Sequence, residues 1–265
     1  MKDFKQNVVV VTGASSGIGK ELALQFAEKG AWLVIAARNI QKLEEVKNEC
    51  EKFGGKVSIV KTDVTEKKQC KNLIEETVKK YGRIDTLINN AGITMWTRFE
   101  DITDIDLFEK IMQVNYLGSV YCTYYALPFL KESKGRIVGI SSLTGKTGVP
   151  TRTAYSASKH AMAGFFDSLR IELADSGVSV TMIYPGFVDT EIRGKELGAD
   201  GNQIGKNKLE NAKTMDVKTC SKIIVNAAAK RKREVVMTMK GKLGIKLKLI
   251  SPSLVDRIVQ KAINN

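Results

Sequence analysis

The chain has 265 residues, 43% of them hydrophobic, with 22 Gly and 4 Pro: enough apolar material for a substantial core, and no compositional sign of disorder. No apolar run approaches the ~20 residues needed to cross a bilayer, and four scattered cysteines with a single histidine offer no metal-ligand spacing, which excludes a membrane-spanning protein and a zinc site. The net charge is +13, and +10 of it falls in residues 191–265, where 17 Lys and Arg stand against 7 Asp and Glu.

Met1–Gln6 leads directly into the apolar Val8–Val11, with no leader-like apolar stretch or cleavage site, so a cytoplasmic protein with free thiols is expected. Val8–Thr12 is predicted as a strand and Gly17–Lys29 as a helix. Leu33–Ala37 (strand), Ile40–Phe53 (helix), Val57–Lys61 (strand), Glu66–Tyr81 (helix) and Asp85–Ile88 (strand) follow. Asp104–Leu130 is predicted helical with a break near Gly118 or Pro128. Arg136–Ser141 (strand), Thr153–Ala174 (helix), Val178–Tyr184 (strand) and a last strand, Glu234–Thr238, complete the pattern. Alternating strands and helices imply parallel pairing, right-handed crossovers and helices on both faces. The class is α/β: a three-layer Rossmann fold with a doubly wound parallel sheet of about seven strands, in one catalytic domain spanning 1–265. Within it, the Gly-containing, polar stretch 191–217 is expected to be a mobile substrate loop, and 240–265 a basic amphipathic extension.

Thr12-Gly13-Ala14-Ser15-Ser16-Gly17-Ile18-Gly19 joins the first strand to the first helix. Gly13 permits the tight turn. Gly17 and Gly19 remove side chains where backbone must approach a pyrophosphate and where helix must approach sheet; Ser15, Ser16 and Ile18 complete the turn. The helix N-terminus then offers free N–H groups to phosphate. The second strand ends in Ala36-Ala37-Arg38-Asn39. An acidic residue there would suit the ribose hydroxyls of NAD; Arg38 suits a 2′-phosphate, so NADP(H) is the expected cofactor.

Ser142, Tyr155 and Lys159 carry reaction chemistry. Tyr155 and Lys159 are four apart and share a helix face. A free phenol ionises near pH ~10; a neighbouring ammonium and an oxidised nicotinamide would both favour the phenolate. A tyrosine so placed can give a proton to a carbonyl or take one from an alcohol. His160 directly follows Lys159, but consecutive helix positions diverge and no Gly-x-Ser-x-Gly elbow is present, so it is not expected to be catalytic.

Taken together, these motifs resemble the short-chain dehydrogenase/reductase family over residues 7–240. Thr12–Gly19 is similar to its Thr-Gly-x-x-x-Gly-x-Gly loop, Asn89-Asn90-Ala91-Gly92 to its Asn-Asn-Ala-Gly signature, Tyr155–Lys159 to its Tyr-x-x-x-Lys with Ser142 thirteen residues earlier, and Pro185-Gly186-Phe187-Val188-Asp189-Thr190 to its Pro-Gly-x-Val-x-Thr turn. The resemblance implies that Tyr155 is the general acid/base, that Lys159 lowers its pKa and holds the nicotinamide ribose, and that Ser142 orients the substrate oxygen. It also implies that Asn115 supports a proton relay. For the cofactor it implies that Asp63 and Val64 lie at the adenine, and Asn90, Ala91 and Gly92 beside the ring system. Pro185 and Gly186 lead into Val188 and Thr190, which match contacts to the carboxamide.

Ser141–Lys146, and Ala126–Pro128 on to Phe166, resemble the branch of 11β-hydroxysteroid dehydrogenase type 1 and related dehydrogenase/reductases, which implies a hydrophobic ketone or aldehyde of steroid, retinoid or lipid type. Leu143, Thr144 and Val149 after Ser142, Phe187 in the Pro-Gly turn, and Met95 and Trp96 after the Asn-Asn-Ala-Gly signature are substrate candidates by position; each fits ordinary loop packing equally well. In the tail, Leu243, Ile245, Leu247, Leu249 and Ile250 alternate with lysines, which suits either an anionic membrane surface or an oligomer interface. The family resemblance implies a homodimer or homotetramer. A 3-oxoacyl-type ketoreductase and a silent NADPH-binding sensor or scaffold stay open as alternatives. No motif suggests nucleic-acid binding.

Overall fold

The computed structural model describes residues 4–205 and 214–264. Among these, seven parallel strands make one sheet in the order β3-β2-β1-β4-β5-β6-β7. They are β1 (Val8–Thr12), β2 (Trp32–Ala37), β3 (Val57–Lys61), β4 (Thr86–Asn89), β5 (Arg136–Ile140), β6 (Ser179–Tyr184) and β7 (Glu234–Val236). The helices are α1 (Gly17–Glu28), α2 (Ile40–Glu51), α3 (Lys67–Tyr81), α4 (Asp106–Met112), α5 (Gly118–Glu132), α6 (Thr153–Glu172), α7 (Val217–Ala229), α8 (Met239–Ile250) and α9 (Pro252–Asn264).

Every residue of β1 is buried, because alternate side chains enter two different cores. Val9 and Val11 pack with Leu22 and Phe26 of α1, Leu43 and Val46 of α2, and Ile224 of α7. Val10 packs on the opposite face with Leu73 and Ile74 of α3, Leu130 of α5, and Met162 and Phe166 of α6. The chain moves outward from β1 to β3, then crosses back to β4 on the other side of β1. Helices leave the carboxyl ends of β1 and β4 in opposite directions, which opens a crevice there, the usual ligand site of an open α/β sheet.

Two predicted boundaries move for identifiable reasons. The helix expected over 104–130 is divided next to Gly118, by a π-helical turn at Gln113–Leu117, and not at Pro128. Pro128 lies inside α5, where it deprives the Tyr124 carbonyl of its helical partner on a solvent-facing stretch. The last strand stops at Val236 because Thr238 is instead the N-cap of α8, accepting from the Gly241 amide at 3.0 Å.

The segment expected to be a mobile loop is tied at its ends. Glu191–Gly194 form a 3₁₀ turn, Leu197 bridges Met95 and Gln203, and Met215 bridges Val188. Residues 206–213 of it lie outside the described residues. The basic extension forms α8 and α9, which pack on each other and bury Val255. No helix among the described residues is long and apolar enough to cross a membrane.

Candidate active site

The turn after β1 is closed by Thr12 and Asn90. The Thr12 hydroxyl accepts from the amides of Asn90 (3.0 Å) and Ala91 (3.1 Å), and Asn90 Nδ2 donates to the carbonyls of Thr12 (3.0 Å) and Gly13 (3.2 Å). β1 and β4 are thereby locked together where the crevice opens. Gly13 and Gly17 have φ of +65° and +55°, a conformation that favours glycine. A Cβ on Gly13 would lie 2.8 Å from Ala91 Cα, and one on Gly19 would strike the Gly13 carbonyl. At Gly17 it would press on Thr190 at 3.3 Å, which brings the Pro185–Thr190 turn up to the glycine loop. Ser16, the N-cap of α1, makes no side-chain cap, and no acidic residue stands in the first turn. Backbone N–H groups and an uncompensated helix dipole therefore face the crevice, together with a cradle that any side chain would fill. This arrangement fits a pyrophosphate.

At the end of β2, Arg38 is exposed, with Nη1 3.9 Å from Asp63 Oδ2. Asp63 is held by its own turn, Oδ1 accepting from the amide (3.0 Å) and hydroxyl (2.8 Å) of Thr65. Val64 is buried next to it. Arg38 and Asp63 thus sit together just past the carboxyl ends of β2 and β3.

The second cluster gathers on the β4–β5 side. The π turn rotates Asn115 into the interior, where it is fully buried. Its Oδ1 accepts from the Ile93 amide (2.8 Å), and its Nδ2 donates to the Ile93 carbonyl and the Ser158 hydroxyl (both 2.9 Å). Gly92 leaves the space between Asn115 and Lys159: a Cβ there would meet Asn115 Oδ1 at 3.2 Å and Lys159 Nζ at 3.5 Å. Lys159 is 3% exposed and donates to the Ile140 carbonyl at 2.9 Å; burial lowers its pKa to about 8. Ser142 lies just beyond β5 as the cap of a 3₁₀ turn, its hydroxyl accepting from the Thr144 amide at 3.2 Å and facing Tyr155 closely enough to favour its phenolate.

The expected cause of phenol activation is not what the protein alone displays. Lys159 Nζ is 5.8 Å from the Tyr155 ring centroid. Burial raises the phenol pKa above its ordinary value, and the groups that oppose the rise are Arg152 first and the Ser142 hydrogen bond second. Arg152 is the residue that sequence reasoning missed. Its spacing of one helical turn before Tyr155 was visible, but its partner Glu196, 44 positions away in the chain, carried no signal.

Of the substrate candidates, Leu143 packs where α8 begins, since a Cβ on Gly241 would lie 2.6 Å from it. Its amide donates to the Pro185 carbonyl at 2.9 Å. Thr144 is buried, Val149 and Trp96 are half-buried, and Phe187 is exposed. Met95 is fully buried in a cluster with Leu107, Ile111, Ala154 and Leu197, against which Tyr155 packs. Pro185 and Val188 are buried, while Gly186 and Thr190 are half-buried at the crevice. Ser15 lies in the turn after Gly13, and Ile18 in the first turn of α1. His160 is exposed, with Nδ1 2.9 Å from the Ser156 carbonyl, away from the Tyr155 face.

Residues 7–200 match the profile of the short chain dehydrogenase family. The chain belongs to this family. It is therefore an oxidoreductase of alcohol and carbonyl groups. A dehydrogenase/reductase SDR family protein 7-like from Dictyostelium discoideum is 38% identical over 97% of this chain and 82% of its own length. An 11-beta-hydroxysteroid dehydrogenase-like 4A from Arabidopsis thaliana is 39% identical over 85% of this chain and 74% of its own. The 11-beta-hydroxysteroid dehydrogenase A of Sesamum indicum is 34% identical over 96% and 75%. The fold matches that of a short chain dehydrogenase/reductase from Burkholderia phymatum in complex with NAD, with a TM-score of 0.84, 22% identity and 96% coverage of both chains. Within this short-chain dehydrogenase the Tyr-x-x-x-Lys pair, the preceding serine and the buried asparagine come together from three separate elements.

Proposed function

We propose that this short-chain dehydrogenase is an NADP(H)-dependent reductase of bulky apolar ketones or aldehydes, working reversibly on the matching secondary alcohols. The observation that carries the reading is the convergence of Tyr155, Ser142, Lys159 and Asn115 beside a glycine cradle fitted to a dinucleotide. The glycine cradle would hold the pyrophosphate of NADP(H), whose nicotinamide would supply or accept the hydride. The substrate oxygen is held by the Ser142 and Tyr155 hydroxyls. Tyr155 gives its proton to the oxygen during reduction and takes one back during oxidation. Lys159, adjoining Asn115 across Gly92, holds the ribose side and feeds the proton path. The cofactor preference rests on Arg38 at the end of β2, with no carboxylate at that position. The substrate class is supported by the names of the 11-beta-hydroxysteroid dehydrogenase relatives and by the apolar candidates Leu143, Val149, Phe187 and Trp96.

The α8–α9 surface supports contact with an anionic membrane: Met239, Leu243, Leu249 and Ile250 are exposed among exposed Lys240, Lys242 and Lys246.

NADPH and NADH consumption against carbonyl compounds of graded size tests the central reading. Turnover of a bulky apolar ketone with NADPH is expected. In Tyr155→Phe, kcat should fall by about 10²–10⁴-fold while NADPH still binds. Faster turnover with NADH, or an unaffected Tyr155→Phe, would overturn it.

A further inference from the structure

The guanidinium of Arg152 is buried beside the acid/base tyrosine, in a place that ordinary rules disfavour. It stands at the N-cap of α6, where the helix dipole repels a cation. It is also nearly out of water: the Arg152 and Glu196 side chains are 7% and 4% exposed. A buried ion pair gives little net stability over apolar replacements, so stability alone does not account for it. A local rule broken at a reaction centre points to function.

Its contacts join three segments. Nη2 donates to Glu196 Oε1 at 2.9 Å, and Nη1 donates to Thr94 Oγ1 at 2.7 Å. The guanidinium carbon lies 4.6 Å from the Trp96 ring centroid and 5.9 Å from that of Tyr155. Glu196 belongs to a stretch stitched to the segment after Gly92. The Leu197 amide donates to the Thr94 carbonyl and the Trp96 amide to the Leu197 carbonyl (both 2.9 Å), while the Ala199 carbonyl accepts from Thr103 (3.0 Å) and Asp104 (3.2 Å).

We infer that Arg152 and Glu196 form a charge-setting pair for Tyr155, through which the seating of the 195–199 stretch tunes the readiness of the tyrosine to give up its proton. Arg152 is a positioning residue, acting through Tyr155; the inference rests on the acid/base role proposed above. The charged groups around the phenol are Lys159 on its own helix, Arg152 at the helix start and Glu196 behind Arg152, with the neutral Ser142 hydroxyl from the turn after β5. The cluster of Met95, Leu107, Ile111 and Leu197 contributes only apolar groups. Arg152 favours the phenolate, and Glu196 partly cancels it.

The pair therefore predicts shifts of opposite sign. Glu196→Gln keeps shape and hydrogen bonding but removes the counter-charge, so the Tyr155 pKa should fall by about one pH unit. Arg152→Gln leaves the carboxylate behind, so it should rise by about as much. Arg152→Lys should stay near wild type. An ultraviolet difference titration of phenol ionisation, with Tyr155→Phe as the blank, reads this without substrate or turnover. It therefore decides the pair even if the carbonyl screen is silent. The high-pH fall of kcat/KM for reduction should move with the titration. If Arg152→Gln does not fold, the downward shift of Glu196→Gln decides. Shifts of the same sign, or no shift in Glu196→Gln, would overturn the inference; opposite shifts with Arg152→Lys near wild type would establish it.

Discussion

Single residues here work through the company they keep. Arg38 stands at the strand end where a carboxylate or a guanidinium would select the cofactor, and the structure leaves it exposed. A charge-assisted hydrogen bond contributes roughly 1.5–3 kcal/mol. Arg38→Ala should therefore weaken NADPH binding about 10- to 100-fold and leave NADH binding nearly unchanged, as read by fluorescence titration of both cofactors. Lys159 shows the cost of burying an ammonium. Burial depresses its pKa to about 8, whereas the unfolded chain would hold that proton to pH ~10.4. Between these limits the unfolded state binds more protons, so this lysine's contribution to stability rises with pH, by about 1 kcal/mol per unit above 8. Urea unfolding on both sides of pH 8 should show that rise, and Lys159→Met should lack it.

At the scale of elements, the π turn between α4 and α5 has the largest consequence. Its wider winding sends Asn115 inward to clamp Ile93 and Ser158, as π-bulges often do at functional sites. The amphipathic pattern of 104–130 predicted a helix there but not its winding, because apolar periodicity does not distinguish one extra residue in a turn. The turn gives way to α5 at Gly118, and there helix and loop approach closely: a Cβ would lie 2.7 Å from Val64 Cγ2 and 2.8 Å from Val64 Cβ. Alanine normally gains ~1 kcal/mol over glycine inside a helix, but overpacking costs typically 1–3 kcal/mol. Because the Val64 Cβ cannot rotate away, the clash should win. Gly118→Ala is expected to destabilise the protein by about 1 kcal/mol, read as a lower urea midpoint at unchanged slope. The four buried thiols sit in these cores as packing groups. Burial pushes Cys50 and Cys220 up to about 12, which makes them inert as nucleophiles.

For the whole molecule, the uneven charge becomes a surface. α8 buries none of its residues and presents leucines and isoleucine among lysines at one end of the sheet. Removing residues 240–265 should reduce co-sedimentation with anionic liposomes several-fold at low salt, because both the apolar contact and the attraction to the headgroups would go. Equal sedimentation of the truncated and full chains would assign this surface to an oligomer partner instead. Leu143 packs against the start of α8, so the same deletion also opens one wall beside Ser142.

The amino-acid sequence by itself determined the alternation of strands and helices, the glycine loop, the position of Arg38 and the Ser142–Tyr155–Lys159 set. Each of these is written in local periodicity, in residue size or in a short spacing. The tertiary structure decided the π turn at Asn115, the reach of α8 to Leu143 and the meeting of Arg152 with Glu196. These depend on how distant segments pack, and neither propensity nor spacing within one segment records which carboxylate will be opposite a buried cation.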